Sequence, residues 1–192
     1  MKIKKQPKII LGFVGKLCAG KGAAISYLVE KHGFYASSCS DRIREAIRAD
    51  GLEVTREKLL EFGGKLREEF GPEALAKLTW EKISREGVKK AVVDSIRAKG
   101  EAEFFKTLPN FHLIAIDSDQ KTRFERMKTR NRGESDPTTF EEFQKTEEVD
   151  ISGGGRDVEA VIQMADFKIE NNGTERKLHQ KLDKLLEELL EK

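Results

Sequence analysis

One segment limits this chain more than any other. It is Gly15-Lys16-Leu17-Cys18-Ala19-Gly20-Lys21-Gly22, set between an apolar run at 9–14 and an amphipathic stretch at 22–31. The spacing G-x-x-x-x-G-K, after a strand and at the mouth of a helix, is that of a phosphate-binding Walker A loop. Its glycines let successive backbone N–H groups turn inward, and the helix N-terminus adds partial positive charge. A lysine at position 21 can reach the outer phosphates of a nucleoside triphosphate. The loop therefore predicts ATP contacts from Gly15, Lys16, Leu17, Cys18, Ala19, Gly20, Lys21, Gly22 and Ala23. It departs from the usual pattern in one respect. The hydroxyl residue after the lysine is replaced by Gly22, and Ala23 follows. A Mg²⁺ ion must then lean on water and on a carboxylate elsewhere. Cys18 sits among the amides; their field would lower its thiol pKa, but the favoured reading is a small residue that fits the loop.

Around this loop, short apolar runs alternate with longer amphipathic ones. Strands are expected at 9–14, 33–37, 91–94, 111–116 and 167–169. Helices are expected at 22–31, 41–48, 56–70, 73–85, 98–107, 120–130, 139–147, 157–164 and 175–190. Such alternation implies right-handed crossovers and a parallel sheet. The expected fold is α/β, a three-layer α/β/α sandwich with a five-stranded parallel sheet. Pro72 suits a first helical position. Asp119 suits an N-cap, and Thr138 with Glu141 suits a capping box. Thr174 suits the cap of a last helix whose Leu178, Leu182, Leu185, Leu186 and Leu189 form one apolar stripe, to be packed on the sheet. The chain is expected to be one domain over 1–192. Within it, the stretch from 130 to 156 holds many charges and Gly153-Gly154-Gly155 and reads as an insertion that moves.

Bulk properties exclude several classes of function. Net charge is +2, with Lys and Arg spread along the chain, which argues against a nucleic-acid-binding face. No apolar run approaches the ~20 residues of a membrane span. The basic start, 1–5, leads into a short apolar run with no cleavage pattern, so it reads as the approach to a strand. Cys18 and Cys39 lie far apart without metal-ligand spacing, which fits a reduced, cytoplasmic protein. A monomer and a homodimer are both compatible with the sequence.

A second anion site is suggested by carboxylates and arginines near strand ends. The run 91–94 ends in Asp94, and ligands in open α/β sheets sit beyond the carboxyl ends of strands. Asp94 is thus expected to hold Mg²⁺ directly or through water. Arg97 follows three residues later. The second strand leads into Ser38-Cys39-Ser40-Asp41-Arg42-Ile43-Arg44.

These segments resemble the nucleoside monophosphate kinases of the P-loop superfamily. Adenylate kinases carry Ser-Thr-Gly-Asp-x-x-Arg after the second strand and Asp-Gly-x-Pro-Arg after the third. Here the counterparts are 38–44 and the shortened Asp94-Ser95-Ile96-Arg97. The run Ala165-Asp166-Phe167-Lys168-Ile169-Glu170-Asn171-Asn172-Gly173-Thr174 is similar to one in dephospho-CoA kinases and related archaeal nucleotide kinases. Leu66-Arg67-Glu68-Glu69-Phe70-Gly71-Pro72, taken with 94–97, looks closest to that archaeal group. The resemblance implies transfer of the γ-phosphoryl of ATP, with Mg²⁺, to a small nucleotide-like acceptor. It implies Arg44 and Arg97 on the acceptor phosphate, clear of the triphosphate, with Arg42 the alternative to Arg44. It places Asp41 beside the acceptor, as general base if the acceptor is the ribose hydroxyl of dephospho-CoA. It implies a helical acceptor-binding region over 41–85, with Arg123 and Arg126 flanking a lid over 129–156. Arg130, Arg132 and Arg156 would belong to it, and Asn172 would border the adenine. Lys21, Asp94, Arg126 and Arg132 form the expected catalytic set. A nucleotide-dependent switch is the rival reading. Phe70 and Trp80 are expected in the core rather than around a base.

Overall fold

The computed structural model describes residues 7–130 and 137–191, with the side chain of Arg130 left out. The order of elements is β1 (Ile9–Val14), α1 (Lys21–His32), β2 (Tyr35–Ser38), α2 (Cys39–Ala49), α3 (Arg56–Phe70), α4 (Ala74–Glu86) and β3 (Lys90–Asp94). It continues with α5 (Lys99–Lys106), β4 (Phe111–Asp117), α6 (Gln120–Arg130), α7 (Phe140–Ser152), α8 (Val158–Gln163), β5 (Phe167–Glu170) and α9 (Glu175–Leu190). The five strands form one parallel sheet in the order β2-β3-β1-β4-β5.

Side chains on β1 alternate between the two faces of the sheet, which makes the three layers. Ile10 and Val14 join a core with Ile43 and Ile47 of α2, Leu75 and Ile83 of α4, Phe105 of α5 and Val161 of α8. Ile9, Leu11 and Phe13 join the opposite core with Ala24 and Leu28 of α1 and Leu178, Leu182, Leu185 and Leu186 of α9. The leucine stripe of α9 is thus spent on the sheet. Trp80 packs against the first core, while Phe70 is 60% exposed. β1 is central because β2 and β3 lie to one side of it and β4 and β5 to the other. All strands run the same way, so the segments after Val14, Ser38, Asp94 and Asp117 leave the sheet at one edge.

Some helix ends differ from expectation by a residue or two. Pro72 does not open α4. It precedes the Glu73 cap and lies against Gly100, where an added Cβ would stand 2.7 Å from the proline ring. The capping box of α7 is Thr139 with Glu142, and Thr138 also donates to the Glu142 carboxylate. Thr174 caps α9 as expected, accepting from the Lys177 N–H. In each case several hydroxyl, acidic or proline residues lie together, and only tertiary packing selects the register.

Candidate functional site

The loop between β1 and α1 is built by close backbone approach. Gly15 has φ 153°, and a Cβ there would fall 2.2 Å from the Ile116 carbonyl oxygen. Gly20 has φ 112°, and its Cβ would fall 2.2 Å from Asn171 Nδ2. Both positions need glycine for conformation and for space. Asn171 Nδ2 donates to the Ala19 carbonyl at 2.9 Å. Arg126 donates to the carbonyls of Ala19 (3.3 Å) and Asn171 (2.7 Å). Arg123 Nη1 donates to the Leu17 carbonyl at 3.1 Å and pairs, almost fully buried, with Glu147 of α7. The loop is therefore held from outside by two arginines and an asparagine.

Within the loop, Lys21 Nζ donates to the carbonyls of Gly15 (2.6 Å) and Lys16 (3.0 Å). Burial lowers its pKa to about 8, although the Asp94 carboxylate pulls it back up. A bound triphosphate would favour the ammonium strongly. Binding should then take up a proton above pH 8. From pH 7.5 to 9, beyond titration of the γ-phosphate itself, ATP affinity should fall by roughly tenfold, the linkage expected for one such group. Calorimetric titrations on the native protein and on Lys21→Met would check this, with the variant losing the pH dependence.

Two cavities meet at this edge of the sheet. One, of about 360 Å³, is lined by 17–23 of the loop with Asp94, Arg97, Arg126 and Asp150. The other, of about 710 Å³, lies between the loop and helices α2 and α3; Asp41, Arg44, Arg56, Arg97, Asp150 and Arg156 supply its charged wall together with Asp94. Leu17, Asp94, Arg97 and Asp150 belong to both. Asp94 Oδ1 is buried and has no hydrogen-bond partner, so the carboxylate keeps an open lone pair. An orphaned acidic oxygen beside a phosphate cradle fits a Mg²⁺ ion held mainly through phosphates and water. No group of three potential metal-ligating side chains occurs among the described residues.

The structure brings most of the expected site residues together. Residues 17–23, Asp94 and Arg126 line the smaller cavity, and Asp41 and Arg44 line the larger. Arg44 Nη1 reaches Ser40 Oγ (2.5 Å) and Asp41 Oδ1 (3.2 Å). Arg42 turns away to Glu45 at 2.7 Å and lines a separate surface hollow with Glu81 and Arg85. Arg97 differs from expectation. It stands in the wall of both cavities, because the short Asp94-Ser95-Ile96-Arg97 connection, with Ser95 at φ 61°, brings it back across the strand end. Asn172 is exposed and spends its carbonyl on Ser118 Oγ and the Asp119 N–H; its neighbour Asn171 is the one that touches the loop. Arg132 lies outside the described residues.

Several further contributors carry no local signal for these contacts in the sequence. Asp150 and Arg56 join the wall of the larger cavity. Glu101 is fully buried, taking the N–H groups of Arg97 and Ala98 on one oxygen and Arg67 on the other. Arg67 also donates to the Gly154 carbonyl, which ties the segment after α7 to α3. Phe140 and Phe143 of α7 meet Phe124 of α6 at ring-centroid distances of 5.4 and 5.6 Å. The described part of 129–156 is thus packed on both sides.

Gly22 offers a direct probe of the missing hydroxyl. A Cβ added there meets nothing within 4 Å. Gly22→Ser should therefore fit and tighten Mg²⁺-dependent ATP binding by about 2–10-fold, the value of one added polar contact. Titrations with Mg²⁺ and with a chelator would check it, and the gain should vanish in chelator.

A family model described as an AAA domain matches residues 11–150. A UPF0200 protein of Thermococcus kodakarensis is 33% identical over 189 residues, covering 96% of this chain and 98% of that one. A UPF0200 protein of Methanocaldococcus jannaschii is 34% identical over 185 residues, covering 95% and 91%. Among solved structures, a Thermus thermophilus protein aligns with a TM-score of 0.61 at 21% identity over 96% of this chain and 99% of its own. A shikimate kinase from Acinetobacter baumannii, in complex with shikimate, aligns with a TM-score of 0.56 at 18% identity over 96% and 94%. The fold is that of the P-loop kinases. No helix among the described residues is long and apolar enough to cross a membrane.

Proposed function

We propose that this chain, which belongs to the UPF0200 family of AAA-domain proteins, is an ATP-dependent phosphotransferase whose acceptor is a small, phosphate-bearing, nucleotide-like molecule. One observation carries the reading: a triphosphate cradle and a larger, arginine-lined cavity share a wall at Asp94, Arg97 and Asp150. A simple nucleotide switch has no second anion to hold beside its γ-phosphate.

In this reading the β–γ bridging bond breaks as a bond forms from the γ-phosphorus to an acceptor oxygen, and ADP leaves. Loop amides 15–22 hold the phosphates. Lys21 exchanges its two carbonyl contacts for outer phosphate oxygens. Asp94 offers its open oxygen to the metal or a metal-bound water. Mg²⁺ supplies neutralisation of charge on the phosphates. Arg44 and Arg97 hold the acceptor in line, and Arg126 braces the loop against the Asn171 segment. The 41–85 helices and the 129–156 lid would exclude water around the transfer. Positioning and electrostatics supply nearly all the catalysis in this chemistry.

Asp41 gives a second reading some support, because its carboxylate lines the larger cavity. It could take the proton of an acceptor hydroxyl, as dephospho-CoA would require. A screen of ATP consumption against nucleoside monophosphates, their deoxy forms and dephospho-CoA tests both readings. One class should raise turnover sharply over a slow basal hydrolysis. Fast hydrolysis indifferent to every acceptor would favour the switch.

A further inference from the structure

Three arginines from distant parts of the chain converge on one carboxylate oxygen. Asp150 Oδ1 accepts from Arg97 Nη1 at 2.8 Å and from Arg156 Nη1 at 3.0 Å, and it lies 3.5 Å from Arg56 Nη2. Arg97 follows β3, Asp150 is near the end of α7, Arg156 follows the glycine run, and Arg56 opens α3. All four line the larger cavity.

The charges there do not balance. Three guanidinium groups face one carboxylate, which leaves an excess of two positive charges. The nearby acids do not cancel it. Glu101 is taken by Arg67, Asp41 by Arg44, and Asp94 stands in the wall shared with the nucleotide cavity, beside Lys21. The strain is visible on both sides. Burial lowers the Arg156 pKa to about 10, with Arg97 the next cause. Burial pushes the Asp150 carboxyl up, but Arg97, Arg156 and Arg56 outweigh it and hold it below the usual carboxylate range. Donors also remain. Each guanidinium has five N–H groups, and the Arg97 side chain spends Nη1 alone on the described residues.

We propose that Arg56, Arg97 and Arg156 form a seat for a phosphate dianion, and that Asp150 is its resident stand-in, displaced when the phosphate of an acceptor arrives. Asp150 thereby sets specificity. A tethered carboxylate is present at high effective concentration. A free carboxylate brings the same single charge and cannot displace it. A phosphate dianion brings two charges and three oxygens, so it offsets two of the three guanidinium charges where the carboxylate offsets one, and it forms several charge-assisted bonds. The resident anion thus acts against carboxylate ligands while admitting phosphorylated ones. Calling the ligand an acceptor rests on the phosphotransferase reading, but the seat itself can be tested without turnover.

The test is calorimetric binding of inorganic phosphate and of acetate at pH 8. A non-hydrolysable ATP analogue saturates the Walker A loop, so that phosphate cannot report that site. Asp150→Asn keeps the side-chain shape and removes the charge. It should raise phosphate affinity at least ~10-fold, about the effect of one pKa-unit-sized interaction, and make acetate binding measurable. Adding Arg56→Ala to that variant should abolish the gain. Unchanged or weaker phosphate binding in Asp150→Asn would overturn the proposal and make Asp150 a clamp that organises the arginines. Should that variant not fold, Asp150→Ser and the native protein give the same decision. The native protein should bind sulfate, a dianion, and not acetate; equal binding of the two would also overturn it. A gain in phosphate binding with no acceptor found in any screen removes the phosphotransferase reading and leaves the seat. An acceptor found with no gain removes the seat alone.

Discussion

Replacing Lys21 with alanine should lower phosphoryl transfer at least ~10²-fold, the scale of a lost electrostatic donor to a transition state. The side chain stands at the floor of the Walker A loop, within 3.0 Å of two loop carbonyls. Among the described residues, no other lysine lines the smaller cavity. Folding should survive, because the residue carries no part of either core and its burial as an ammonium is unfavourable, as the lowered pKa indicates. Circular dichroism and a thermal melt would separate loss of fold from loss of chemistry. Single-turnover kinetics on a folded variant would then give the size of the effect. Near-native transfer would remove the loop from the mechanism.

Arg44 and Arg97, proposed to hold the acceptor, should show the second largest effect, and an unequal one. Each lost charge-assisted contact with an acceptor phosphate should cost about 1.5–3 kcal/mol. Arg44→Ala should raise the acceptor KM and lower kcat with little change in ATP affinity, since Arg44 lines only the larger of the two cavities. Arg97→Ala should do the same and also alter ATP binding, because Arg97 stands in both walls and its charge acts on Lys21. The double variant should lose less than the sum if both arginines grip one phosphate. Equilibrium ATP binding and acceptor kinetics on the three variants check this. Unchanged acceptor kinetics in both single variants would move the acceptor elsewhere.

The parts of this molecule legible in its sequence are those governed by local rules. The G-x-x-x-x-G-K spacing, strand periodicity and the leucine stripe of α9 depend on neighbours in the chain. Asp94 was readable because a carboxylate at the end of an apolar strand has one place to go in a parallel sheet. Asp150 was not. It lies in a charged helix, and nothing near it in sequence signals three arginines arriving from positions 56, 97 and 156. Glu101 was hidden for the same reason. An acid one turn into α5 reads as a surface residue until Arg67 and two backbone N–H groups close over it. Asn171 and Asn172 are adjacent, and only the backbone direction after β5 decides which one touches the loop. Arg97 lines both cavities because of the left-handed turn at Ser95, which the residue type does not announce.

Two ligands that meet at the wall formed by Asp94, Arg97 and Asp150 should exchange a phosphoryl group there. The most direct measurement follows ATP labelled in its γ-phosphate through incubation with the protein, Mg²⁺ and a panel of nucleotide-like acceptors. Label should appear on one class of acceptor, stoichiometric with ADP, with little accumulating as inorganic phosphate. Label released only as inorganic phosphate, at a rate no acceptor changes, would contradict the phosphotransferase reading.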